Sequence, residues 1–104
     1  MEVNYQVCIR RMENFEDFIH CGNTMSGYNT YDRDNNYIKL IKIYQYDYAI
    51  YSYNTLICFV DFIGKTYCVN PNKYSTTTSK QKSYIRQAAK SWEYYNGYKN
   101  ILWI

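Results

Sequence analysis

The sequence predicts an α+β fold over residues 1–104 as a single domain. It indicates an antiparallel sheet of about four to five strands, a short N-terminal helix, and a C-terminal helix over about 80–92 packed on one sheet face. Three observations support this. The length of 104 residues suits one domain with a modest core. β-Prone runs separated by turn residues fill the middle of the chain, and a segment with helical apolar periodicity follows them. The 15 tyrosines suit a small sheet with a half-wet face, because their rings pack while their hydroxyls need polar partners.

The first two elements are predicted to be a strand and a helix. The run "VNYQVCIRR" is β-prone and fits a first strand. In "ENFEDFIHCG", Phe15, Phe18 and Ile19 have the i, i+3, i+4 spacing of one helix face, and Gly22 suits the helix C-terminus. The next run, "NTMSGYNTYDRDNN", is polar and rich in turn residues, which predicts a loop.

The middle of the chain is predicted to supply most of the sheet. The run "YIKLIKIYQ" alternates imperfectly and is rich in β-branched residues, which indicates a strand. The run "YAIYSYNTLICFVDFIGKTYCVNP" predicts two or three more strands, with Gly64 in the tight turn of a hairpin and Pro71 ending its second arm. Asp61 stands among apolar neighbours, so we expect it to point out of the sheet or to pair with Lys65 across the turn.

A row of hydroxyl residues, 75–79, leads into the predicted C-terminal helix. Thr78 or Ser79 is the expected N-cap of this helix. The tail "YKNILWI" predicts a final short strand or a docking segment. The apolar side chains of the helix are spaced i, i+1, i+4, i+5 and i+8, which places them on one face. They are Tyr84, Ile85, Ala88, Ala89 and Trp92.

Charge is distributed unevenly along the chain, whose formal net charge is +3. Residues 1–61 carry five basic and eight acidic side chains, whereas residues 62–104 carry seven basic side chains and a single acidic one, Glu93. Since both halves fold together, this distribution predicts a surface with one basic side. Such a side suits phosphates or an acidic protein.

The predicted helix carries the densest basic pattern. Lys82, Arg86 and Lys90 are spaced i, i+4 and i+8, which predicts an exposed basic stripe, and Lys80 lies beside the hydroxyl row. Two interpretations stay open. The helix start with its hydroxyls is a site for an anion, or one hydroxyl caps the helix and the basic stripe is only its solvent face.

The sequence contains no recognisable catalytic or metal-binding pattern, so we expect a protein that is not an enzyme and needs no metal or cofactor. The single histidine, His20, adjoins Cys21, but neither CxxC nor HxxxH spacing occurs. The carboxylates are scattered and suggest no triad or dyad. Cys58 and Cys68 lie on opposite arms of the predicted hairpin, where small core residues are the simplest interpretation.

Membrane and secretion signals are not apparent in the sequence. The first residues lack a basic start followed by an apolar run, and the longest apolar run, "LICFV", is far shorter than the roughly 20 residues of a membrane span. We therefore expect a soluble, intracellular protein that does not contact membranes. In that compartment the four cysteines should be reduced.

A tyrosine ladder runs through "YQYDYAIYSY". Alternate tyrosines on a strand line one face, and aromatic rings near basic residues hold single-stranded nucleic acid in many proteins. No lysine or arginine interrupts this ladder, however, so a protein-contact surface or a half-buried surface is an equal alternative. On an edge strand the ladder would also suit a homodimer. Its members are Tyr44, Tyr46, Tyr48, Tyr51 and Tyr53.

The segments "YSYNTLICFVD" and "GKTYCVNPNKYSTTTSK" resemble a family of small uncharacterised phage and prophage proteins. The shared pattern is Tyr-Ser-Tyr-x-Thr before an apolar strand, then a hairpin, a Tyr-Ser-x-Thr-Thr-Ser-Lys segment and a helix. Upstream, "CGNTMSGYNT" is similar as well, so the resemblance covers about residues 21–86. It departs at Gln81, where the family often has histidine. The resemblance implies an origin in a phage or mobile element and an α+β fold.

By analogy with small phage accessory proteins, of which anti-CRISPR inhibitors are one kind, we expect a stoichiometric inhibitor in the cytoplasm of a bacterial host. Its partner would be a host protein or a nucleoprotein complex such as a CRISPR effector. The alternatives are an accessory protein that binds nucleic acid directly through the basic helix, and a structural, virion-associated interaction protein. The acidic side chains would act as phosphate mimics, and the basic ones would contact nucleic acid. The candidate binding residues are Glu13, Glu16, Asp17, Asp32, Asp34, Lys80, Lys82, Tyr84, Arg86 and Lys90.

Overall fold

A computed structural model describes residues 5–21, 25–29, 47–72 and 76–102. Over these residues the chain forms two helices and one sheet of six strands, so the predicted α+β class is confirmed with slightly more strands than expected. The helices are α1 (Tyr5–Glu13) and α2 (Thr76–Asn96). The strands are β1 (Phe18–Cys21), β2 (Met25–Asn29), β3 (Tyr48–Ser52), β4 (Thr55–Asp61), β5 (Thr66–Val69) and β6 (Lys99–Asn100).

The strands lie in the sheet in the same order as in the sequence. Each neighbouring pair from β1 to β5 is antiparallel. The last pair, β5 and β6, is parallel, with Thr66 opposite Lys99. A parallel pair needs a long crossover, and α2 supplies it. The tail was expected to form a short strand or a docking segment, and it forms β6.

The N-terminal elements differ from the prediction. The run "VNYQVCIRR", expected to be a strand, contributes most of α1, because Cys8 and Met12, one turn apart, are fully buried in the core. The segment expected to be a helix instead forms a turn and then β1, with Phe15 at a φ of 54° in the turn. The start of the expected loop is β2, where Gly27 is needed because a Cβ atom would lie 2.4 Å from the Phe18 ring. The expected strand at 37–45 lies outside the described residues.

The predicted hairpin is formed by β4 and β5. Residues 62–65 make its turn, and Pro71 follows the second arm. Asp61 neither projects freely from the sheet nor forms an ion pair with Lys65. Its Oδ1 accepts hydrogen bonds from the backbone N–H groups of Ile63 (3.1 Å) and Gly64 (3.2 Å), which is the usual role of an aspartate that starts a turn.

The helix α2 is longer than predicted. It begins at Thr76, so neither Thr78 nor Ser79 is its N-cap. At the other end Gly97 has a φ of 71°, the left-handed conformation that commonly ends a helix, and its N–H donates to the Glu93 carbonyl at 3.2 Å. The predicted apolar face is confirmed for its last four members, which are buried, whereas Tyr84 is only half-buried. The buried members are Ile85, Ala88, Ala89 and Trp92.

The centre of the core is the ring of Trp92. It stacks on Phe15, with centroids 5.2 Å apart, and meets the ring of Tyr67 edge-on at 5.3 Å. Its Nε1–H donates to the Met12 carbonyl at 3.0 Å. These contacts join α2, the turn after α1, and β5 in one apolar cluster.

The two helices pack side by side and run in the same direction. At the start of α1 the ring of Tyr5 stacks on Tyr84, near the middle of α2, with centroids 4.3 Å apart. Further along, the Ser91 hydroxyl donates to the Glu13 carboxylate at 3.1 Å. Helix α1 is therefore fixed on α2 at both of its ends.

The cysteines depart in part from the expectation that all are reduced. Cys8 is fully buried and is disulfide-bonded. The expectation was wrong for this residue, because it was drawn from the compartment and took no account of which thiols the fold brings together. Cys58 and Cys68 are free and buried. They occupy adjacent strands one register position apart, so their side chains leave opposite sheet faces.

Candidate functional site

The exposed side of α2 is the best candidate for a functional surface. Its side chains recur every three or four residues, opposite to the buried apolar face. We call this surface the outer face. It consists of Lys80, Ser83, Arg86, Gln87, Lys90 and Tyr94, all of which are exposed.

The predicted basic stripe is only partly formed. Arg86 and Lys90 are exposed one turn apart, but Lys82 is only 5% exposed and its Nζ donates to the Asn72 carbonyl. The prediction was wrong for Lys82 because this residue lies three and seven positions before the buried Ile85 and Ala89, on their side of the helix. It holds the segment after β5 against α2.

Three cations of the outer face are available to an outside partner. Lys80, Arg86 and Lys90 are exposed, and within the described part of the chain none of their charged groups is held by a carboxylate. Cations spaced along one face of a helix create a positive potential that favours an anionic ligand.

One face of the Tyr84 ring is already occupied within the protein. The ring stacks on Tyr5 in the seam between the two helices. Burial is the main cause that raises the pKa of its hydroxyl, with the neighbouring Tyr5 adding to the effect. Tyr84 therefore belongs to the helix packing.

Two of the predicted acidic binding residues hold the fold together. Glu13 accepts the hydrogen bond from Ser91, and Asp17 Oδ1 accepts one from the Asn29 backbone N–H at 2.7 Å. Glu16 is exposed, and its backbone carbonyl accepts a hydrogen bond from the Tyr48 hydroxyl at 2.7 Å. The other two members of the acidic set, Asp32 and Asp34, lie outside the described residues. A compact acidic patch is thus not assembled by the described members of the set.

The tyrosine ladder is divided among three environments. Tyr48 is fully buried, and burial raises the pKa of its hydroxyl, with the charges of Cys58 and Glu16 contributing less. Tyr51 is half-buried, and Tyr53 is exposed in the turn between β3 and β4 at a φ of 54°. Tyr44 and Tyr46 lie outside the described residues. The described members therefore do not form a single exposed face.

Two tyrosines that were not selected from the sequence are the most exposed aromatic residues of α2. Tyr94 is 83% exposed and Tyr95 is 77% exposed, at the C-terminal end of the helix. With Lys90, Ser91 and Glu93 they line a shallow hollow of about 530 Å³. The sequence carried a signal for Tyr94, since it follows Arg86 and Lys90 at the same four-residue spacing.

The hollow is connected to the sheet through Glu93. The Tyr67 hydroxyl donates a hydrogen bond to Glu93 Oε1. Burial raises the pKa of the Tyr67 hydroxyl, and the bond to Glu93 together with the glutamate charge raises it further. This contact fixes the Glu93 carboxylate on the side of the helix that faces β5.

Two further findings concern metal-binding and thiol groups among the described residues. They contain no group of three or more histidine, cysteine, aspartate or glutamate residues that could hold a metal ion. The buried Cys58 thiol is a poor nucleophile, because burial raises its pKa, as does the neighbouring Cys68. Over the same ranges, neither helix is long and apolar enough to cross a bilayer.

The structure is that of a small α+β protein. It has a mostly antiparallel sheet and two packed helices, and the outer face of α2 is basic and carries an exposed tyrosine. The chain belongs to a family of unknown function, DUF8033, whose profile matches residues 11–99. Neither a curated protein nor a solved structure matches the chain.

Proposed function

We propose that the protein is a non-catalytic binding protein that inhibits a nucleoprotein complex of a host defence system in the bacterial cytoplasm. It would contact the nucleic acid of that complex through the outer face of α2. The observation that carries this proposal is the pair Arg86 and Lys90, exposed one helical turn apart and held by no described carboxylate.

Charge favours a nucleic-acid contact over phosphate mimicry. Residues 62–104 carry seven basic side chains and one acidic one, and α2 lies within this range. A phosphate mimic would use carboxylates, but Glu13 and Asp17 already accept hydrogen bonds from the Ser91 hydroxyl and the Asn29 backbone N–H. These bonds occupy part of the acceptor capacity of both carboxylates, which makes them less suited to a partner.

Inhibition of a defence complex is supported by the resemblance to phage and prophage proteins around "YSYNTLICFVD" and "GKTYCVNPNKYSTTTSK". A rigid helix face that occupies a nucleic-acid groove acts stoichiometrically and needs no catalytic residue. The small size of the chain and the absence of a recognisable catalytic pattern in its sequence are consistent with that mode of action.

The contact is tested by fluorescence anisotropy with labelled DNA and RNA at several salt concentrations. We expect binding that weakens steeply with salt, and we expect Arg86→Glu with Lys90→Glu to reduce the slope of log K against log salt by about two. A matched control, Lys65→Glu with Lys99→Glu, reverses the charge of two exposed lysines that lie away from the outer face. Equal affinity losses in both double variants would contradict a specific role for the outer face.

The inhibition is tested in a plasmid-protection assay, in which cells with an active defence system receive a targeted plasmid. We expect the wild-type protein to protect the plasmid and the Arg86→Glu, Lys90→Glu variant to lose protection at equal expression. If the wild-type protein protects against none of a panel of defence systems, the inhibitory role is wrong.

A second candidate is an accessory protein that binds free nucleic acid. The exposed Tyr94, one turn beyond Lys90, favours it, because aromatic rings beside cations bind nucleic acid without a protein partner. Tight binding to isolated strands, together with no effect on any defence system, would favour this candidate over the first.

A further inference from the structure

Tyr94 and Tyr95 are exposed in a way that packing does not explain. Their rings are 83% and 77% exposed, whereas Phe15 and Tyr67 pack their rings against Trp92. Within the described ranges their rings contact each other, edge to face with centroids 4.9 Å apart. Exposed aromatic pairs of this kind offer large contact area at low entropic cost.

The surroundings of the pair combine a cation with a carboxylate. Lys90 lies one turn before Tyr94, and both line the shallow hollow of about 530 Å³ together with Glu93. The Tyr67 hydroxyl holds the Glu93 carboxylate on the side that faces β5, so the cations Arg86 and Lys90 dominate the charge of the outer side. A phosphate backbone would be attracted beside Arg86 and Lys90, which leaves the rings of Tyr94 and Tyr95 to an uncharged, planar group.

We infer that Tyr94 and Tyr95 form a stacking platform for unpaired bases, so that the ligand of the outer face is a single-stranded nucleic acid. This inference rests on the proposed function and specifies its ligand. Tyr94 lies eight residues after Arg86, a rise of about 12 Å along the helix, which is the length of roughly three to four nucleotides along one strand.

A duplex would use this surface poorly. Its bases are stacked on one another and show only their edges in the grooves, so the ring faces of Tyr94 and Tyr95 would have nothing to stack on. An unpaired strand presents the faces of its bases, and one base on an aromatic side chain contributes about 1–3 kcal/mol, which corresponds to roughly a 5- to 150-fold change in affinity.

The test compares a single strand and a duplex of equal length as probes, DNA and RNA in turn, with three proteins. They are the wild type, Tyr94→Leu with Tyr95→Leu, and Tyr94→Phe with Tyr95→Phe. All these substitutions lie at exposed positions, so the fold should be retained. We expect the wild type to prefer single strands about tenfold or more. The leucine variant should lose most of that preference, and the phenylalanine variant should keep it because it retains the rings.

The outcomes separate this inference from the proposed function. Salt-dependent binding that is equal for duplex and single strand, or single-strand affinity unchanged in the leucine variant, would overturn the platform while leaving the basic contact intact. Failure of the wild type to bind any probe at low salt would overturn both.

Discussion

The substitution Trp92→Phe tests the account of the core most directly. Phenylalanine keeps one aromatic ring between Phe15 and Tyr67 but removes the pyrrole part of the indole and its Nε1–H. The Met12 carbonyl then loses its partner at 3.0 Å, in a region from which water is excluded, since Trp92 and Met12 are both fully buried.

The expected loss of stability follows from two contributions. Leaving a buried acceptor without a hydrogen bond costs about 1–3 kcal/mol. The void left by the missing ring atoms adds about 1–2 kcal/mol, because a packed core relaxes only in part. Together they amount to about 3 kcal/mol, a large part of the roughly 5–15 kcal/mol typical of a whole domain. The melting temperature should fall by roughly 12–24 °C.

The assay is urea unfolding followed by far-ultraviolet circular dichroism, because the substitution removes a fluorophore. The matched control is Tyr95→Phe, which removes a phenolic hydroxyl at a position that is 77% exposed. It should change the free energy of unfolding by less than about 0.5 kcal/mol. A loss below about 1 kcal/mol for Trp92→Phe, at an unchanged m value, would refute the central role given to this residue.

Two further predictions concern titratable groups. The free thiols of Cys58 and Cys68 are buried and burial raises their pKa, so a thiol reagent should modify them only as fast as the protein unfolds, and Cys8 should not react without reductant. Rapid modification of the native protein would contradict this. The pKa values of Tyr48 and Tyr67 are raised above 10.0, so their neutral hydroxyls stabilise the folded state fully below pH 10 and this contribution is lost as the pH rises further. An ultraviolet titration should show a class of tyrosines that ionise well above pH 10 or together with unfolding. Ionisation of all tyrosines near pH 10 in a folded protein would contradict this prediction.

Local sequence patterns predicted the elements whose partners are near in sequence. The hairpin of β4 and β5 follows from two β-prone runs and a turn at Gly64, and α2 follows from the apolar spacing that ends at Trp92. The N-terminal prediction failed because β propensity around Cys8 is weaker than the gain from burying Cys8 and Met12 against a helix far along the chain. The parallel pairing of β6 with β5 could not be predicted from local patterns either, because it depends on the position at which the chain leaves α2 beside the sheet.

Only part of the candidate surface could be predicted, because local patterns do not reveal contacts with distant segments. Charge and spacing identified Arg86 and Lys90, which are exposed. They did not reveal that Lys82 turns inward to the Asn72 carbonyl or that Tyr84 is occupied by Tyr5, because both outcomes depend on neighbours from distant segments. The exposure of Tyr94 is a consequence of where the apolar face of α2 ends, and four-residue spacing alone was its signal.

The packing of α1 on α2 has a consequence for how the protein is made. The hydrogen bond from Trp92 to the Met12 carbonyl joins residues 80 positions apart. At a synthesis rate of about 5–20 residues per second, the first helix waits roughly 4–16 s on the ribosome before the surface that covers it emerges. Meanwhile the β-strands of the middle of the chain can pair as they appear. Helix α1 is therefore made early but secured only after α2 emerges, and its apolar side is open to chaperones, or to another nascent chain, for the whole of that interval.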